Sequence, residues 1–310
     1  MKLVVTGGFG FIGSTFVKML LEQEISSLSV HSIEIIDSLT YAADPKRLEK
    51  YLNSPKLGFS KMDIRNPLIA DVIQNSDGVV HFAAETHVDN SIRFSEPFIQ
   101  TNIFGTENLI RICRLAGKQL LIVSTDEVYG PILKGAATED SPLKPSSAYS
   151  ASKASADLIA LAEFRTFGAP IQITRSTNNY GPGQNLEKLI PKVIFKAKNY
   201  QTIPLYGNGL QLRDWISVRD HCLGIAAVFA CQRFGEVFNI GANFELSNLE
   251  LVNRILDLMD RDKKLISFVE DRPGHDFRYS VDSTKVRNEL HWHPKYNLIE
   301  DLPKLVNSYL

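Results

Sequence analysis

The sequence predicts an α/β fold: a Rossmann-type doubly wound parallel sheet joined to a smaller α/β substrate-binding lobe. Three observations carry this. Short apolar runs alternate with helical patterns through the first half of the chain, which implies right-handed βαβ units with helices on both sheet faces. A glycine-rich turn follows the first apolar run at once and opens the first helical pattern. Beyond Ser176 the pattern changes to loops carrying Gly181-Pro182-Gly183, Gly207-Asn208-Gly209 and Arg272-Pro273-Gly274-His275, with helices between them.

In order, residues 3–6 read as a buried strand, 11–23 as a helix and 32–36 as a second strand. The run 59–62 is a weaker strand, 78–82 a stronger one and 119–124 stronger still. Between the last two lies a long helical pattern, with Phe98, Ile99, Ile103, Leu109, Ile110 and Ile112 recurring on one side. After Pro145-Ser146-Ser147 comes a helix over 149–167, rich in Ala and Leu, and then a sixth strand over 171–175. Residues 1–177 are therefore expected to form a nucleotide-binding domain to which 212–241 return, with 178–211 and 242–310 forming the second lobe.

The 310 residues are about twice a typical domain. At 44% hydrophobic and 22% charged, the chain has apolar material for a sizeable core and is not disordered. A net charge of −1 offers no basic surface for nucleic acid. No apolar run approaches the roughly 20 residues a membrane helix needs, and Leu3-Val4-Val5 is too short for a signal-peptide core. Cys113, Cys222 and Cys231 form no CxxC pair and read as buried small hydrophobes. A soluble cytoplasmic protein with no nucleic-acid or membrane partner is expected.

Gly7-Gly8-Phe9-Gly10-Phe11-Ile12-Gly13 contains both GxxGxxG and GxGxxG. Glycines there permit a tight turn and close main-chain approach, so that a helix N-terminus can hold a pyrophosphate. Asp37 ends the second strand, where a carboxylate can accept from ribose hydroxyls. Ser38 and Leu39 offer no cation to a 2′-phosphate, so NAD is favoured over NADP. Taken alone Asp37 would read as a cap or turn residue, and its position in the unit reverses that. Asp63 suits an adenine amino group or a cap for the helix near Asn66 equally.

Tyr149 and Lys153 are four apart at a helix start and share a face. A nearby ammonium would lower the tyrosine pKa toward a useful base. Without the glycines, a surface pair would be the better reading. Ser124-Thr125-Asp126-Glu127 ends the strand before that helix. Neighbouring strand residues point to opposite faces, so the strand must end there if both acids meet one substrate. Two adjacent carboxylates then invite divergent pKa values, one an acid and one a base; by itself such a pair is usually solvated loop.

The combination of Thr6–Gly13, Ser124-Thr125-Asp126-Glu127-Val128-Tyr129-Gly130 and Tyr149-Ser150-Ala151-Ser152-Lys153 resembles the extended short-chain dehydrogenase/reductases. More narrowly it resembles the dTDP-glucose 4,6-dehydratases, along nearly the whole chain. Further matches are Ala83–Asp89, Asn178-Asn179-Tyr180-Gly181-Pro182, Glu187–Pro191, Arg213-Asp214-Trp215 and Asp271–His275. The resemblance implies a nucleotide-sugar dehydratase, a lyase using NAD as a hydride carrier, with no metal. Tyr149 would take the proton of the sugar 4-hydroxyl as hydride leaves C4, with Thr125 bonding that hydroxyl and Lys153 tuning the tyrosine. Glu127 would remove the C5 proton, and Asp126 would protonate the departing C6 hydroxyl.

The resemblance sets Gly7, Gly10, Phe11, Ile12, Gly13, Asp37, Thr40, Asp63, Ile64, Ala83, Ala84, Thr101 and Asn179 beside NAD, with Tyr149 and Lys153. Beside the sugar nucleotide it sets Thr86, Thr125, Asn178, Lys188, Leu189, Pro204, Tyr206, Arg213, Asn248, Arg272 and His275. Guanidinium forks such as Arg213 and Arg272 suit a diphosphate. The resemblance also implies a homodimer packed through helices 96–115 and 149–167. Asn90, Ser38 and Gly183-Gln184-Asn185-Leu186 depart from the family pattern and bear on base and sugar specificity.

Rival readings are a UDP-glucose dehydratase, a nucleotide-sugar 4-epimerase, which needs Tyr149 and Lys153 but no acid pair, and a non-catalytic NAD-binding sensor. His291-Trp292-His293 lacks Cys or carboxylate partners and reads as surface and packing residues, not a metal site. Lys263-Lys264 reads as solvated loop.

Overall fold

The computed structural model describes residues Met1–Leu310. Twelve strands run in chain order as β1 Lys2–Thr6, β2 Ser32–Asp37, β3 Leu57–Lys61, β4 Gly78–His81, β5 Gln119–Thr125, β6 Ile171–Ser176, β7 Asn178–Tyr180, β8 Ile203–Tyr206, β9 Leu212–Ser217, β10 Val237–Ile240, β11 Glu245–Ser247 and β12 Ile266–Val269. The large sheet has the order β10-β6-β5-β4-β1-β2-β3, and every pairing in it is parallel.

Strand alternation explains the two faces of this sheet. Leu3 and Val5 of β1 pack with Phe16, Val17, Ile225 and Phe229, while Val4, between them, packs with Leu109, Ile110 and Cys113 on the opposite side. Covered on both faces, β5 has no exposed residue along its whole length, as central parallel strands require. The order reverses between β1 and β4. Ligands in such sheets bind beyond the carboxyl ends at that switch point.

β7 pairs with β9, and β9 with β11, in a three-stranded sheet, while β8 pairs with β12. Their core is separate, with Ile190, Val193, Ile194, Leu251, Ile255 and Leu302 closely packed. Within 212–241 the chain divides its loyalties. Helix Val218–Cys231 packs on the large sheet and β10 extends it, but β9 stays in the small sheet, because its partners β7 and β11 flank it there.

The long helical pattern between β4 and β5 is not one regular helix. Glu96–Phe98 is α-helical, Ile99–Gly105 is π-helical and Thr106–Ala116 is α-helical again. Apolar spacing still lies along one side, which is why the interruption does not show in the sequence. Asn102, in the wide segment, donates to the Glu85 carbonyl at 3.0 Å and to Ser152 Oγ at 2.9 Å, and accepts from the Glu85 amide at 2.8 Å. It thus ties the loop after β4 to the helix Ala148–Phe167. That helix begins at a reciprocal cap, in which Ser147 and Ser150 each bond the other's amide.

Candidate active site

The Gly7–Gly13 turn is shaped by close approach. Gly7 has φ +68°, and a Cβ on it would lie 2.6 Å from the Ala83 amide nitrogen, which is main chain and cannot yield. A Cβ on Gly13 would lie 2.4 Å from the Gly7 carbonyl oxygen. Beyond the carboxyl ends of β1 and β4, the turn can approach the Ala83 main chain this closely only with glycine at position 7. Helix Phe11–Leu21 then starts with no side-chain cap and no acidic residue in its first turn. Its first amides lack intrahelical acceptors and carry the positive end of the helix dipole, a ready site for a phosphate.

A cavity of about 700 Å³ opens over this turn. Gly7, Gly10, Phe11, Ile12, Gly13, Asp37, Thr40, Asp63, Ile64, Ala83, Ala84, Thr101, Tyr149, Lys153 and Asn179 all line it. Asp37 accepts from the Phe9 amide at 3.0 Å and the Leu39 amide at 2.8 Å, so its carboxylate is aimed while it caps the turn. Asp63 caps no helix; Arg65 chelates it at 2.7 and 3.0 Å and holds its pKa below the ordinary value, and Asn66 caps the next turn instead. The amide-rich helix start, the aimed Asp37 and the small residues Ala83 and Ala84 fit a dinucleotide.

The same cavity contains Thr125, Asp126 and Glu127. β5 ends at Thr125 and the chain turns into a short 3-10 helix over Asp126–Tyr129, so the two acids leave the strand's alternation and share one side. The Thr125 hydroxyl donates to Asp126 Oδ1 at 3.2 Å and accepts from the Glu127 amide at 3.3 Å. Asp126 is buried, its Oδ2 has no partner, and burial with the nearby Glu127 and Asp214 charges pushes its pKa well up. Burial raises Glu127 as well, but Arg272, Arg213 and Lys188 oppose that rise. One carboxyl is poised as an acid and the other is held closer to ionised.

Tyr149 and Lys153 stand on one face of helix Ala148–Phe167, both buried. The expectation that Lys153 lowers the tyrosine pKa is not met. The Lys153 ammonium donates to the Val123 carbonyl at 2.9 Å, whereas burial and the Glu127 charge raise Tyr149 above its ordinary value. The phenol ionises more readily as Glu127 and Asp126 carry less charge.

Thr86, Asn178, Lys188 and Leu189 also line the cavity, but Pro204, Tyr206, Arg213, Asn248, Arg272 and His275 do not. Pro204 and Tyr206 lie on β8, and Asn248 opens helix Asn248–Leu258 with its amide on the Gln211 carbonyl. Arg213 is buried, stacked 4.4 Å from the Tyr279 ring and tied to the carbonyls of Leu212, Asp276 and Phe277. Its fork serves the protein, and its charge reaches the acid pair. Arg272 donates to Asp89 Oδ1 at 3.1 Å, and the Tyr206 hydroxyl donates to Asp89 Oδ2 at 3.0 Å. His275 bonds Asp271 at 2.6 Å.

Two residues were missed by the sequence reading. Asp89 bridges the two lobes through those bonds. Arg47 donates to the carbonyls of Phe9 and Gly183 at 2.8 and 3.0 Å and to Asn185 Oδ1 at 2.7 Å, pinning loop 183–185 beside the glycine turn. Asp89 lies in the stretch Ala83–Asp89 that carries the resemblance, which implies no role for it, and Arg47 carries no signal; both act through partners far away in the chain. Asn179 is fixed by His221 Nδ1 at 2.9 Å, and burial depresses the pKa of that histidine to about 3, so it is neutral.

Comparison with known proteins agrees in several respects. The family model described as GDP-mannose 4,6 dehydratase matches residues 4–304. The low-salt glycan biosynthesis protein Agl12 of Haloferax volcanii is 45% identical over 312 residues, covering 100% of this chain and 99% of that protein. A dTDP-glucose 4,6-dehydratase of Streptomyces niveus is 43% identical over 311 residues, covering 100% and 93%. The crystal structure of DesIV, a dTDP-glucose 4,6-dehydratase from Streptomyces venezuelae with NAD and TYD bound, superposes with a TM-score of 0.98 at 45% identity, covering 100% and 97%.

Proposed function

The chain belongs to the dTDP-glucose 4,6-dehydratase family of extended short-chain dehydrogenase/reductases, and from that premise we propose that it removes water from dTDP-glucose to give the 4-keto-6-deoxy sugar nucleotide. It is an NAD-dependent nucleotide-sugar 4,6-dehydratase, a hydro-lyase. The observation that carries the reading is the acid pair Asp126–Glu127, raised from a strand end into the cavity that also holds Tyr149 and Lys153. An epimerase needs only the latter two.

NAD, held by the glycine turn, Asp37 and Asn179, supplies a temporary store for the hydride that leaves C4 and reappears at C6. Tyr149, as the phenolate, accepts the proton of the 4-hydroxyl, with Thr125 orienting that oxygen and Lys153 holding the cofactor ribose. The C4 ketone acidifies the C5 hydrogen, and Glu127 removes it as a proton. Asp126, kept protonated by burial, gives its proton to the C6 oxygen, so the C6–O bond breaks and water leaves. Glu127 then returns a proton to C5. The proton gained by Tyr149 offsets the one Asp126 gave up, so the balance is loss of one water. Arg272 and Lys188 serve the diphosphate and sugar.

The reading extends to a nucleotide-binding domain over 1–177 with the smaller lobe completing the site, to a homodimer and to a cytoplasmic location. Phe94, Ile99, Phe104 and Leu158, all exposed on the helices named for pairing or beside them, support the dimer.

Incubation with dTDP-glucose and with UDP-glucose, followed by mass measurement, tests the reaction and the base. Loss of water from the dTDP sugar is expected. Glu127→Gln should slow that loss by about 10²–10⁴-fold, the usual worth of a general base. Water loss at the parental rate in this variant would remove the central support and favour epimerisation.

A further inference from the structure

We propose that Arg175 is a positioning residue: from one buried guanidinium it fixes the helix bearing Tyr149 and Lys153 and the turn bearing Asp126 and Glu127 relative to one another. This rests on the catalytic roles proposed above.

Arg175 lies near the end of β6, in register with Ser124 of β5, and is 2% exposed. Its Nε donates to Asp157 Oδ2 at 2.8 Å, and its Nη1 donates to the Tyr129 hydroxyl at 2.8 Å and more weakly to the Glu139 carbonyl at 3.4 Å. The same guanidinium lies 4.9 Å from the centre of the Tyr129 ring. Asp157 follows Lys153 by one helical turn and Tyr149 by two, on the same helix. Tyr129 closes the 3-10 turn that begins at Asp126, and its hydroxyl donates to Asn239 Oδ1 of β10 at 2.8 Å. The guanidinium therefore joins the oxidation machinery, through Asp157, to the elimination machinery, through Tyr129. None of Arg175, Asp157 and Tyr129 lines the cavity. Whatever they do for the reaction passes through the residues they hold.

A buried ion pair is a weak source of net stability, since desolvation offsets most of its attraction. What it supplies is geometry, because the planar fork reaches two partners at a fixed angle, which a lysine cannot do. Asp157 Oδ1 has no hydrogen-bond partner although buried, so the carboxylate is not there for saturated bonding. Its charge does favour protonated Lys153 against burial.

The test compares Tyr129→Phe, Asp157→Asn and Arg175→Lys in the NAD-loaded chain with dTDP-glucose. Oxidation is read by reduced-cofactor absorbance in a single turnover, elimination by deuterium uptake at C5 and by product mass, binding by titration, and folding by melting temperature. Tyr129→Phe should slow elimination about 10-fold with oxidation near parental, so that reduced cofactor builds up, whereas Asp157→Asn should slow oxidation about 10-fold, so that C5 exchange and product follow it with no build-up of reduced cofactor. Arg175→Lys should slow both by about 10²-fold, as an ångström-scale misplacement does, with substrate affinity little changed. If the two single-link variants slow both steps equally, in proportion to lost melting temperature, Arg175 is only a stabilising residue and the inference falls. If neither step changes, it falls as well. A parental chain that releases no water would overturn the proposed reaction too, so the two failures are distinguishable.

Discussion

At the Gly7–Gly13 turn the cavity wall is main chain, packed so closely that a single Cβ would collide with it. Around Arg272, outside the lining of that cavity, stand charged and polar side chains, each already bonded to another: Arg272 and Tyr206 to Asp89, and His275 to Asp271. The first region is rigid before any ligand arrives. In the second, a diphosphate that takes Arg272 as proposed has to displace Asp89 from it, so affinity there would be set by an exchange of partners. A rigid main-chain cradle thus stands beside a cluster of side chains whose bonds can be exchanged.

The severest disruption falls where the two regions meet. Tyr149→Phe leaves no acceptor for the 4-hydroxyl proton and should lower turnover by about 10²–10⁴-fold with both ligands still bound; turnover within a few-fold of parental would assign the base elsewhere. Gly7→Ala attacks only the rigid region. A left-handed φ costs a non-glycine residue roughly 1–2 kcal/mol, and the contact with Ala83 adds to it, so NAD affinity should fall by about 10²-fold while dTDP affinity changes little. Equal losses for both ligands in calorimetric titration would deny the separation.

Arg272→Ala attacks only the side-chain cluster. Loss of a charged hydrogen bond is worth about 1.5–3 kcal/mol, so sugar-nucleotide affinity should fall roughly 10–100-fold. Asp89→Asn should tighten it, because the competing charge is gone. Weaker binding in Asp89→Asn would mean that Asp89 orients Arg272 instead of competing for it. A smaller effect concerns the cofactor's far end: Asp37→Ser should narrow the preference for NAD over NADP by about 10-fold, since one adverse charge is removed.

The smallest effect is a pH shift. Elimination requires ionised Glu127, whose pKa burial raises and Arg272 lowers. The acid limb of turnover should therefore lie above the ordinary glutamate range, and Arg272→Ala should move it to still higher pH. A limb that moves downward would place Arg272 outside the field of Glu127.

The two regions also differ in how readable they were. Alternating strands and helices, glycine spacing and a strand-end Asp are local properties, so the parallel sheet, the glycine turn and Asp37 were legible in the chain itself, while the remaining cofactor residues were implied by the family resemblance and the strand order was not legible. Arg213, Arg272 and Tyr206 were recognisable as residue types, but their partners Asp89, Asp276 and Tyr279 lie far off in sequence, and nothing local shows that a guanidinium is already occupied. Arg47 was invisible for the same reason. Lys153 shows a third limit: helical spacing set it beside Tyr149, while the direction of its ammonium depended on a carbonyl of β5.

The π-helical segment Ile99–Gly105 can be regarded as a dislocation, one residue too many for the helix that contains it. The surplus advances the phase of the preceding turn by about 100° relative to the helix Thr106–Ala116. Within that segment Thr101 faces the cavity and the adjacent Asn102 points back to Glu85 and Ser152. Deleting one exposed residue there, such as Phe104, would heal the dislocation and give a more regular helix, but it would turn Thr101 and Asn102 away from their present neighbours. Here regularity of the fold and accuracy of the site are opposed, and the chain keeps the fault.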